Sequence, residues 1–407
     1  MKGRYINRTM EKVIRRAVRE FPAVVLTGPR QSGKTTLLKR LFGKRYRYVS
    51  LEPPDVRASV VGDPRGFLEM YQPPLILDEV QYAPELLFYI KEYIDAHRER
   101  KGQYLLSGSQ NLLLMESITE SLAGRSAVLR LFPLTRREIF GNPGRPLPWE
   151  SGVRHTEKGH SSPSLLWKEF LRGYYPEIST HPERDFFMWH SSYMQTYIER
   201  DVRTLRQIGD LTLFQNFLRA LAARSAQLLR LSDLSRDLGI AVNTVKAWLS
   251  LLEATYQIII LRPYFANIGK RLVKSPKVYF TDTGILCYLV GLKDPAHAAA
   301  GPMGGAIFET AVVSEIYKTF MHRGMEPRMY FWRTSSGNEV DIVIDSGGKL
   351  IPIEVKLTST PRPEMAKGLQ SFREVFGDMA SPGYVVYMGN ARLALGGGVT
   401  TLPFKSL

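Results

Sequence analysis

Over residues 1–140, short apolar runs alternate with segments of helical character. This alternation is typical of a parallel β-sheet covered by helices, because parallel strands are joined by helical crossovers. Five apolar runs are candidate strands: Val24–Thr27, Tyr46–Leu51, Leu75–Leu77, Tyr104–Ser107 and Ala127–Leu131. The pattern therefore predicts an α/β domain built on a parallel sheet.

A phosphate-binding motif lies between the first candidate strand and the next helical run. Gly28–Thr35 fills every fixed position of the P-loop pattern G-x-x-x-x-G-K-[ST]. Its glycines let consecutive backbone N–H groups face one point, which the positive end of the following helix also faces. Lys34 would reach the β- and γ-phosphates, and the Thr35 hydroxyl would hold a magnesium ion. The predicted nucleotide-binding residues are Gly28, Pro29, Arg30, Gln31, Ser32, Gly33, Lys34, Thr35 and Thr36.

A second motif supports nucleotide binding. Asp78 and Glu79 directly follow the apolar run Leu75–Leu77, which is where a Walker B strand delivers one carboxylate to the metal and one to an attacking water. Two carboxylates after an apolar strand also commonly cap the next helix. Combined with the P-loop, the motif predicts Asp78 as a metal ligand and Glu79 as the general base.

Composition points to a polyanionic partner. The chain has 407 residues, 44% of them hydrophobic, which is enough for two or three domains. The formal charge of +16 favours nucleic acid or an anionic membrane surface. We prefer DNA and expect a cytoplasmic protein without membrane association, because no helix-length stretch is uninterruptedly apolar and no signal-type core follows Met1. The single cysteine, Cys287, excludes intramolecular disulfides and a Cys-based zinc cluster.

The middle of the chain predicts a linker followed by a helical lid. Residues 141–164 are rich in Gly, Pro, Ser and charge, as exposed linkers are. Leu165–Leu205 is helical and aromatic, with a stripe that is more often a helix-packing face than a platform for stacked bases. The aromatic residues are Trp167, Phe170, Tyr174, Tyr175, Phe186, Phe187, Trp189, Tyr193 and Tyr197.

A helix-turn-helix pattern follows. Leu231–Ile240 reads as a helix with a Gly stop at Gly239, and Asn243 can cap a second helix, Thr244–Leu252. Tyr256–Leu261 then supplies a strand, as in a winged helix. Base or phosphate contacts would fall on Thr244, Lys246 and Ala247, and the basic run Lys270, Arg271, Lys274 and Lys277 follows closely. The alternative is a pair of packed helices that contacts protein and never touches DNA.

Acidic residues and a lysine recur near the carboxyl end. Glu309 lies in a predicted amphipathic helix, Ala306–Phe320, and Asp341 lies in the predicted strand Glu339–Ile344. Glu354 and Lys356 alternate onto one face of a strand, so the Asp341 carboxylate can converge with them if the two strands are neighbours. Such a group could bind magnesium and orient a water at a phosphodiester.

These residues resemble the PD-(D/E)xK nuclease superfamily. Its helix acid, strand acid and E-x-K tripeptide match Glu309, Asp341 and Glu354-Val355-Lys356, although Val340 replaces the proline before the strand acid. The resemblance implies a nuclease-like α/β fold with metal ligands Glu309, Asp341 and Glu354 beside Lys356. A salt-bridged strand pair without activity is the alternative.

The whole chain resembles AAA+ ATPases of archaeal type whose C-terminal half is a domain of unknown function. The resemblance rests on GPRQSGKTTLL, LILDEVQ, LLSGSQNLLL, ESLAGRSAVLRLFPLTRREI, YMQTYIERDVR and IPIEVK. It implies binding and hydrolysis of ATP with Mg²⁺. It also implies four domains: a RecA-like AAA+ domain over 1–140, a linker and helical lid over 141–205, a winged helix over 206–268 and a nuclease-like domain over 269–407.

The same resemblance assigns three further roles. Ser109 or Gln110 would act as sensor 1 and polarise the attacking water, and Arg125 would be an arginine finger that completes a neighbouring subunit's site. A finger implies a homo-oligomer, whereas the alternative is that Arg125 pairs with an acid of its own chain. Arg200 is a candidate second sensor, although a charge cluster of this kind on a helix is more often a local salt-bridge network.

Three functions remain open from the sequence. The first is a DNA-acting ATPase, with branched or single-stranded DNA as its substrate by analogy to resolvases of nuclease-like fold. The second is an ATP-dependent regulatory switch that holds a protein partner. The third is a magnesium-dependent DNA nuclease regulated by ATP.

Overall fold

The computed structural model describes residues 5–109, 120–150, 163–197, 210–264, 275–335 and 337–407. Its first sheet has five strands in the order β2-β3-β4-β1-β5, and all neighbouring pairs are parallel. The strands are β1 Ala23–Thr27, β2 Arg47–Ser50, β3 Leu75–Asp78, β4 Tyr104–Ser107 and β5 Ser126–Arg130. Each lies within one residue of its predicted bounds, which confirms the parallel α/β domain.

Helices cover both faces of this sheet. They are α1 Met10–Glu20, α2 Lys34–Phe42, α3 Pro54–Gly62, α4 Pro64–Met70, α5 Leu86–Ala96 and the short α6 Arg136–Ile139. Helices α1 and α2 share a core with alternate residues of β1, such as Val24 and Leu26. Helices α3, α4 and α5 pack on the opposite face, against Ala23 and Val25. Period-two alternation in β1 thus builds two separate cores.

The middle of the chain is helical, with α7 Pro163–Arg172, α8 Pro176–Thr180, α9 Phe186–Tyr197, α10 Leu211–Ala222, α11 Leu231–Leu238 and α12 Val242–Ala254. Most of the aromatic stripe is buried in one large core, which agrees with its interpretation as a packing face. Gly239 ends α11 in the left-handed conformation at φ 65°, as its position predicted.

Two local predictions in this region are wrong. Asn243 does not cap α12, because the helix already begins at Val242, after an extended Ala241 that offers no side-chain acceptor. The next strand, β6 Ile258–Pro263, begins two residues later than predicted. Tyr256 has φ 60° and its N–H bonds to the carbonyl of Glu253, so the chain is still closing the helix there.

A second sheet of eight strands has the order β12-β13-β11-β10-β9-β8-β6-β7. Its remaining strands are β7 Lys277–Phe280, β8 Met329–Arg333, β9 Glu339–Ser346, β10 Lys349–Lys356, β11 Gly383–Tyr387, β12 Ala394–Gly396 and β13 Val399–Pro403. The helices are α13 Thr283–Leu289, α14 Pro295–Ala300, α15 Gly304–His322 and α16 Lys367–Phe376. Strands β9 and β10 are antiparallel neighbours, as the predicted convergence of their acids requires.

Helix α15 is not amphipathic, which corrects the expectation for Ala306–Phe320. Fifteen of its residues are buried, including Glu315, Lys318 and His322. The helix contacts β7 and β10 of the second sheet and β5 of the first, so water reaches little of it. No helix in the described ranges combines the length and apolar character that a membrane span requires.

Candidate functional site

The P-loop connects β1 to α2 at the carboxyl edge of the first sheet. Gly28 and Gly33 have φ of 143° and 94°, a conformation that side chains disfavour. A Cβ at Gly28 would lie 2.1 Å from the carbonyl oxygen of Leu131, so only glycine fits. The Lys34 ammonium folds back over the loop and donates to the carbonyls of Gly28 and Pro29, each at 2.9 Å.

Asp78 stands beside this loop at the end of β3. The Thr35 Oγ1 hydroxyl donates to Asp78 Oδ2 at 2.8 Å, and so does the Tyr48 hydroxyl. Ser107 donates to the other carboxylate oxygen. A hydroxyl and a carboxylate in contact at the mouth of a P-loop form the oxygen donor set that Mg²⁺ prefers, so Thr35 and Asp78 fit as its ligands.

Glu79 is clamped by two polar side chains. Gln81 Nε2 donates to Glu79 Oε2 at 2.5 Å, and the Ser109 hydroxyl donates to the same oxygen at 3.2 Å. Burial opposes ionisation of Glu79, but the Gln81 hydrogen bond and the Lys34 charge outweigh it and lower its pKa. The carboxylate is therefore held ionised, as a proton acceptor must be. Sequence reasoning missed Gln81, although it lies only two residues beyond Glu79.

These groups open into a cavity of about 670 Å³. The lid forms one wall through α8 and α9, and the segment before α1 forms another. Lining residues outside the motifs are Tyr5, Ile6, Arg8, Glu52, Leu134, Pro176, Glu177, Thr180, His181, Tyr193, Thr196 and Tyr197. Most of them could not be predicted from the sequence, because they meet the P-loop only through the tertiary fold.

A buried charged network ties the P-loop to α15. Arg8 donates to the carbonyls of Ser32 at 3.0 Å and Phe132 at 2.6 Å, and its Nε pairs with Glu138 at 3.1 Å. His322 Nδ1 lies 3.1 Å from the same carboxylate. Burial opposes the charge of Glu138, but Arg8 and His322 outweigh it and lower its pKa well below the ordinary value. This network was not predicted either.

Arg125 pairs with an acid of its own chain. Its Nε and Nη2 atoms each lie 2.8 Å from an oxygen of Asp95 on α5. It directly precedes β5 and lies at the sheet edge opposite the P-loop. A role in a neighbouring subunit's site remains a prediction. Gln110, Arg200, Lys270, Arg271 and Lys274 lie outside the described residues.

The predicted acids of the C-terminal sheet come together. Asp341 on β9 accepts the Val355 N–H of β10 at 2.9 Å, and Lys356 Nζ lies 2.5 Å from Glu354 Oε1. Glu309 enters from α15 and accepts the Tyr279 hydroxyl at 2.6 Å. Burial, and then the charge of Asp341, raise the pKa of Glu309 to about 7 and that of Glu354 to about 8.

Lys277 lies inside this cluster, which corrects its assignment to a surface basic run. Its buried ammonium is 2.6 Å from Glu339, 3.2 Å from Glu309 and 3.4 Å from Asp341. No group of three or more His, Cys, Asp and Glu side chains in the described chain has the arrangement of a metal site. Glu309, Asp341 and Glu354 therefore do not fit a divalent cation as they stand, because an ammonium group already occupies the space between carboxylates.

Family comparisons agree with this architecture. An AAA domain family matches residues 20–140, a domain of unknown function (DUF8612) matches 164–296, and a second (DUF4143) matches 304–407. The uncharacterized protein Rv2008c of Mycobacterium tuberculosis is 30% identical over 393 residues, which cover 96% of this chain and 82% of that protein. The same figures hold for the uncharacterized protein Mb2031c of Mycobacterium bovis.

The chain belongs to this family. It is an AAA-type ATPase with a C-terminal DUF4143 domain. Membership of the AAA family indicates that the chain binds and hydrolyses ATP. ATPases of this type usually require Mg²⁺.

Solved structures resemble this ATPase more distantly. The Walker-type ATPase PABY2304 of Pyrococcus abyssi is 15% identical with a TM-score of 0.43, over 69% of this chain and 94% of that one. The signal transduction ATPase PH0952 of Pyrococcus horikoshii, which has a tetratricopeptide repeat sensor, is 12% identical with a TM-score of 0.25, over 79% and 48%. The assignment of this chain to its family rests on the family models and the mycobacterial relatives alone.

The cavity beside the P-loop contacts the residues that follow α12. The Tyr197 hydroxyl, from the cavity wall, lies 2.7 Å from Thr255 Oγ1. Gln257 Nε2 donates to the hydroxyl of Tyr193 at 3.3 Å, and the Tyr256 hydroxyl lies 3.1 Å from Thr27, the last residue before the P-loop. Residues 255–257 therefore connect α12 to two sides of the nucleotide site.

Proposed function

We propose that the chain is a Mg²⁺-dependent ATPase that acts on DNA, with ATP turnover coupled to the helix-turn-helix. The observation that carries the proposal is that Lys34, Thr35 and Glu79 line one cavity whose wall contacts residues 255–257. Asp78 is hydrogen-bonded to Thr35 and Ser109 to Glu79. Each group has a distinct part to play in phosphoryl transfer.

The hydrolytic step is assigned to residues of the P-loop and of β3. Backbone N–H groups of the P-loop, from the residues other than Pro29, bind the phosphates, and Lys34 leaves its loop carbonyls to bind the β- and γ-phosphates. Thr35 and Asp78 would hold Mg²⁺, and the bound ion would supply positive charge opposite the negative charge that develops on the phosphate oxygens. Glu79 takes a proton from the attacking water, while Ser109 and Gln81 fix the orientation of the Glu79 carboxylate.

The element order supports a winged helix as one of the parts that contact DNA. Helices α10, α11 and α12 are followed by the antiparallel pair β6 and β7, and Leu228 bridges to Lys277 of β7. Lys246 is exposed near the start of α12, and Thr244 is half-buried beside it. These positions are suited to phosphate contacts from a recognition helix.

A homo-oligomer is part of the proposal. Arg125 lies at the sheet edge opposite the P-loop, so it cannot reach its own nucleotide, but it could reach that of a neighbour. Its pair with Asp95 is half-exposed and would have to open for such a contact. DNA-dependent assembly would then control turnover.

The experiment is steady-state ATP hydrolysis with duplex, single-stranded and branched DNA, and without DNA. We expect stimulation by at least one form, and loss of the stimulation in Lys246→Ala with basal turnover unchanged. Turnover that is indifferent to all forms, together with no DNA binding at low salt, would overturn the DNA part of the proposal.

An ATP-dependent switch that holds a protein partner is the second candidate. Residues 210–264 contain six Lys and Arg against four Asp and Glu, so the helix-turn-helix is only weakly basic. A surface of balanced charge also suits protein contacts. Slow turnover that DNA does not change would favour this function.

A further inference from the structure

The positive charge of the chain is concentrated on one side of the ATPase domain. Residues 5–47 contain twelve Lys and Arg against two Glu, in contrast to the weakly basic helix-turn-helix. Nine of these cations are exposed. Apart from Arg47 on β2, eight of them lie on two helices or just after them: Lys12, Arg15, Arg16 and Arg19 of α1, Lys39 and Arg40 of α2, and Lys44 and Arg45 just after it. We call this set the basic face.

The two helices that carry the basic face lie side by side. Both pack their apolar residues into the same core above β1. Helix α1 begins near the P-loop, where Arg8 bonds Ser32, and ends where Phe21 leads into β1. Helix α2 begins in the P-loop and returns to the same far edge of the sheet. The cations are therefore distributed along two helices that both run from the nucleotide edge of the sheet towards the opposite edge.

The α1 cations occupy one stripe of the helix. Lys12, Arg15, Arg16 and Arg19 follow the spacing i, i+3, i+4, i+7, which places them on one side. Two guanidinium groups of the basic face lie against aromatic rings. That of Arg15 is 5.9 Å from the ring centre of Phe42, and that of Arg40 is 5.4 Å from the ring centre of Tyr5. Such contacts orient guanidinium groups without neutralising them.

No acid of the described chain neutralises the basic face. Ion pairs described elsewhere in the ATPase domain involve other cations, Arg8, Arg65 and Arg125, and none of the eight forms an ion pair with a described carboxylate within 4.0 Å. Neighbouring like charges on a helix destabilise it slightly, so the arrangement is unfavourable unless a polyanion binds.

We propose that the basic face binds the phosphate backbone of DNA. The inference rests on the proposed DNA function and assigns its main phosphate contacts to the ATPase domain. No large apolar side chain of residues 10–47 is among the exposed ones in the described chain, so the face has no anchor to insert into a bilayer and no apolar centre for a protein interface. The exposed Lys and Arg side chains of the basic face are sufficient to bind backbone phosphates. Binding of DNA through this face would therefore not depend on base sequence.

The test compares two triple variants by fluorescence anisotropy of labelled duplex DNA between 50 and 200 mM salt, a range over which phosphate contacts weaken strongly. One variant is Arg15→Gln, Arg16→Gln and Arg19→Gln. The control removes the same charge elsewhere, through exposed Lys168→Gln, Lys293→Gln and Arg328→Gln. We expect the first variant to bind at least about tenfold more weakly and to lower the slope of log affinity against log salt by about 2–3, at about 0.9 per lost contact.

ATP titration of each variant reports whether the fold is retained. If the first triple does not fold, Lys39→Gln, Arg40→Gln and Lys44→Gln test the same face from α2. Wild-type protein that binds no DNA overturns the proposed DNA function. Wild-type protein that binds DNA, with equal affinity and slope in both triples, overturns the basic face alone. Face-dependent binding to phosphatidylserine vesicles, with DNA binding unaffected, also overturns it in favour of a membrane surface.

Discussion

Glu79 depends on Gln81 for its orientation, because both Gln81 and Ser109 donate to a single carboxylate oxygen. Gln81→Ala removes the closer donor, so we expect the pKa of Glu79 to rise towards its ordinary value and the carboxylate to lose its fixed position. Turnover should fall about tenfold, a part of the 10²–10⁴-fold that a positioned base supplies. The acid limb of the rate profile should move to higher pH, since the base then protonates more easily.

ATP affinity checks that Gln81→Ala leaves the phosphate site intact, and Gln72→Ala, at an exposed glutamine distant from Glu79, is the matched control. An unchanged rate and an unchanged pH profile would show that Gln81 does not position the base.

Lys277 stabilises the C-terminal sheet by neutralising buried carboxylates. Burial disfavours its charge, but Glu309, Asp341 and Glu339 outweigh this and raise its pKa. A raised pKa means that the stabilisation is complete below the ordinary lysine value and is lost only as the pH rises through the folded one. Lys277→Met should therefore cost about 3–5 kcal/mol at neutral pH, because it leaves charges unpaired.

The cost of Lys277→Met should be larger at pH 8.5 than at pH 6, since Glu309 and Glu354 take up protons below about 7 and 8 and so relieve the repulsion. Urea unfolding at both pH values measures the loss of unfolding free energy, and Lys367→Met, at an exposed lysine, is the control. Mn²⁺ should stabilise the variant and not the parent protein in the absence of nucleotide. Equal stability of Lys277→Met and the parent would contradict the assigned role.

The sequence identified those residues whose partners are fixed by local motifs. Thr35, Asp78 and Glu79 could be predicted because a P-loop and a strand end determine where they lie. Lys277 was misplaced because its neighbours in sequence are basic, while its neighbours in space come from α15 and β9. The contacts of Arg8 could not be predicted, because Ser32, Phe132 and Glu138 are distant from it in the sequence and come together only in the folded chain.

At the scale of elements, α15 joins the two sheets through buried charge. Glu138 contacts Arg8 and His322, and Lys318 donates to the carbonyl of Leu134 at 3.0 Å. Burial lowers the pKa of His322 despite Glu138, so the imidazole is neutral and its Nε2 accepts the N–H of Phe132 at 3.2 Å. The helix is fixed to the segment after β5 by these contacts rather than by apolar packing alone.

Glu138→Gln should lower the free energy of unfolding by about 3–5 kcal/mol at pH 7, because Arg8 is left buried without its counter-charge. The pKa of Glu138 is lowered by folding, so its contribution is present above the ordinary glutamate value and is lost as the pH falls. The difference between variant and parent should thus shrink under strong acid. Urea unfolding against exposed Glu253→Gln measures this, and a variant as stable as the control would contradict it.

Elements were predicted where one pattern dominates. The five strands of the first sheet are short, apolar and bounded by turns, and all five were confirmed. Helix α15 was expected to be amphipathic because its apolar residues recur at helical spacing, yet its polar residues are buried too, in contacts with a distant part of the chain. The end of α12 was misjudged because Tyr256 adopts a left-handed conformation that propensity does not reveal.

For the whole molecule, residues 255–257 connect the end of α12 to the walls of the nucleotide cavity and to Thr27. Tyr256→Phe removes the hydroxyl that contacts Thr27 beside the P-loop and keeps the ring packed against Phe132. We expect ATP affinity to change less than twofold, while DNA stimulation of turnover falls about fivefold, the lower end of typical coupling between sites. Tyr264→Phe is the control, and full stimulation in Tyr256→Phe would exclude this connection.

The most direct test of nucleotide turnover at the P-loop is calorimetric titration of ATP with Mg²⁺, followed by single-turnover hydrolysis, for the parent protein, Lys34→Ala and Glu79→Gln. The parent should bind and hydrolyse ATP, Lys34→Ala should lose binding, and Glu79→Gln should bind normally while hydrolysing about 10²–10⁴-fold more slowly. A folded parent protein without affinity for ATP, or Glu79→Gln with the parent rate, would contradict the assignment.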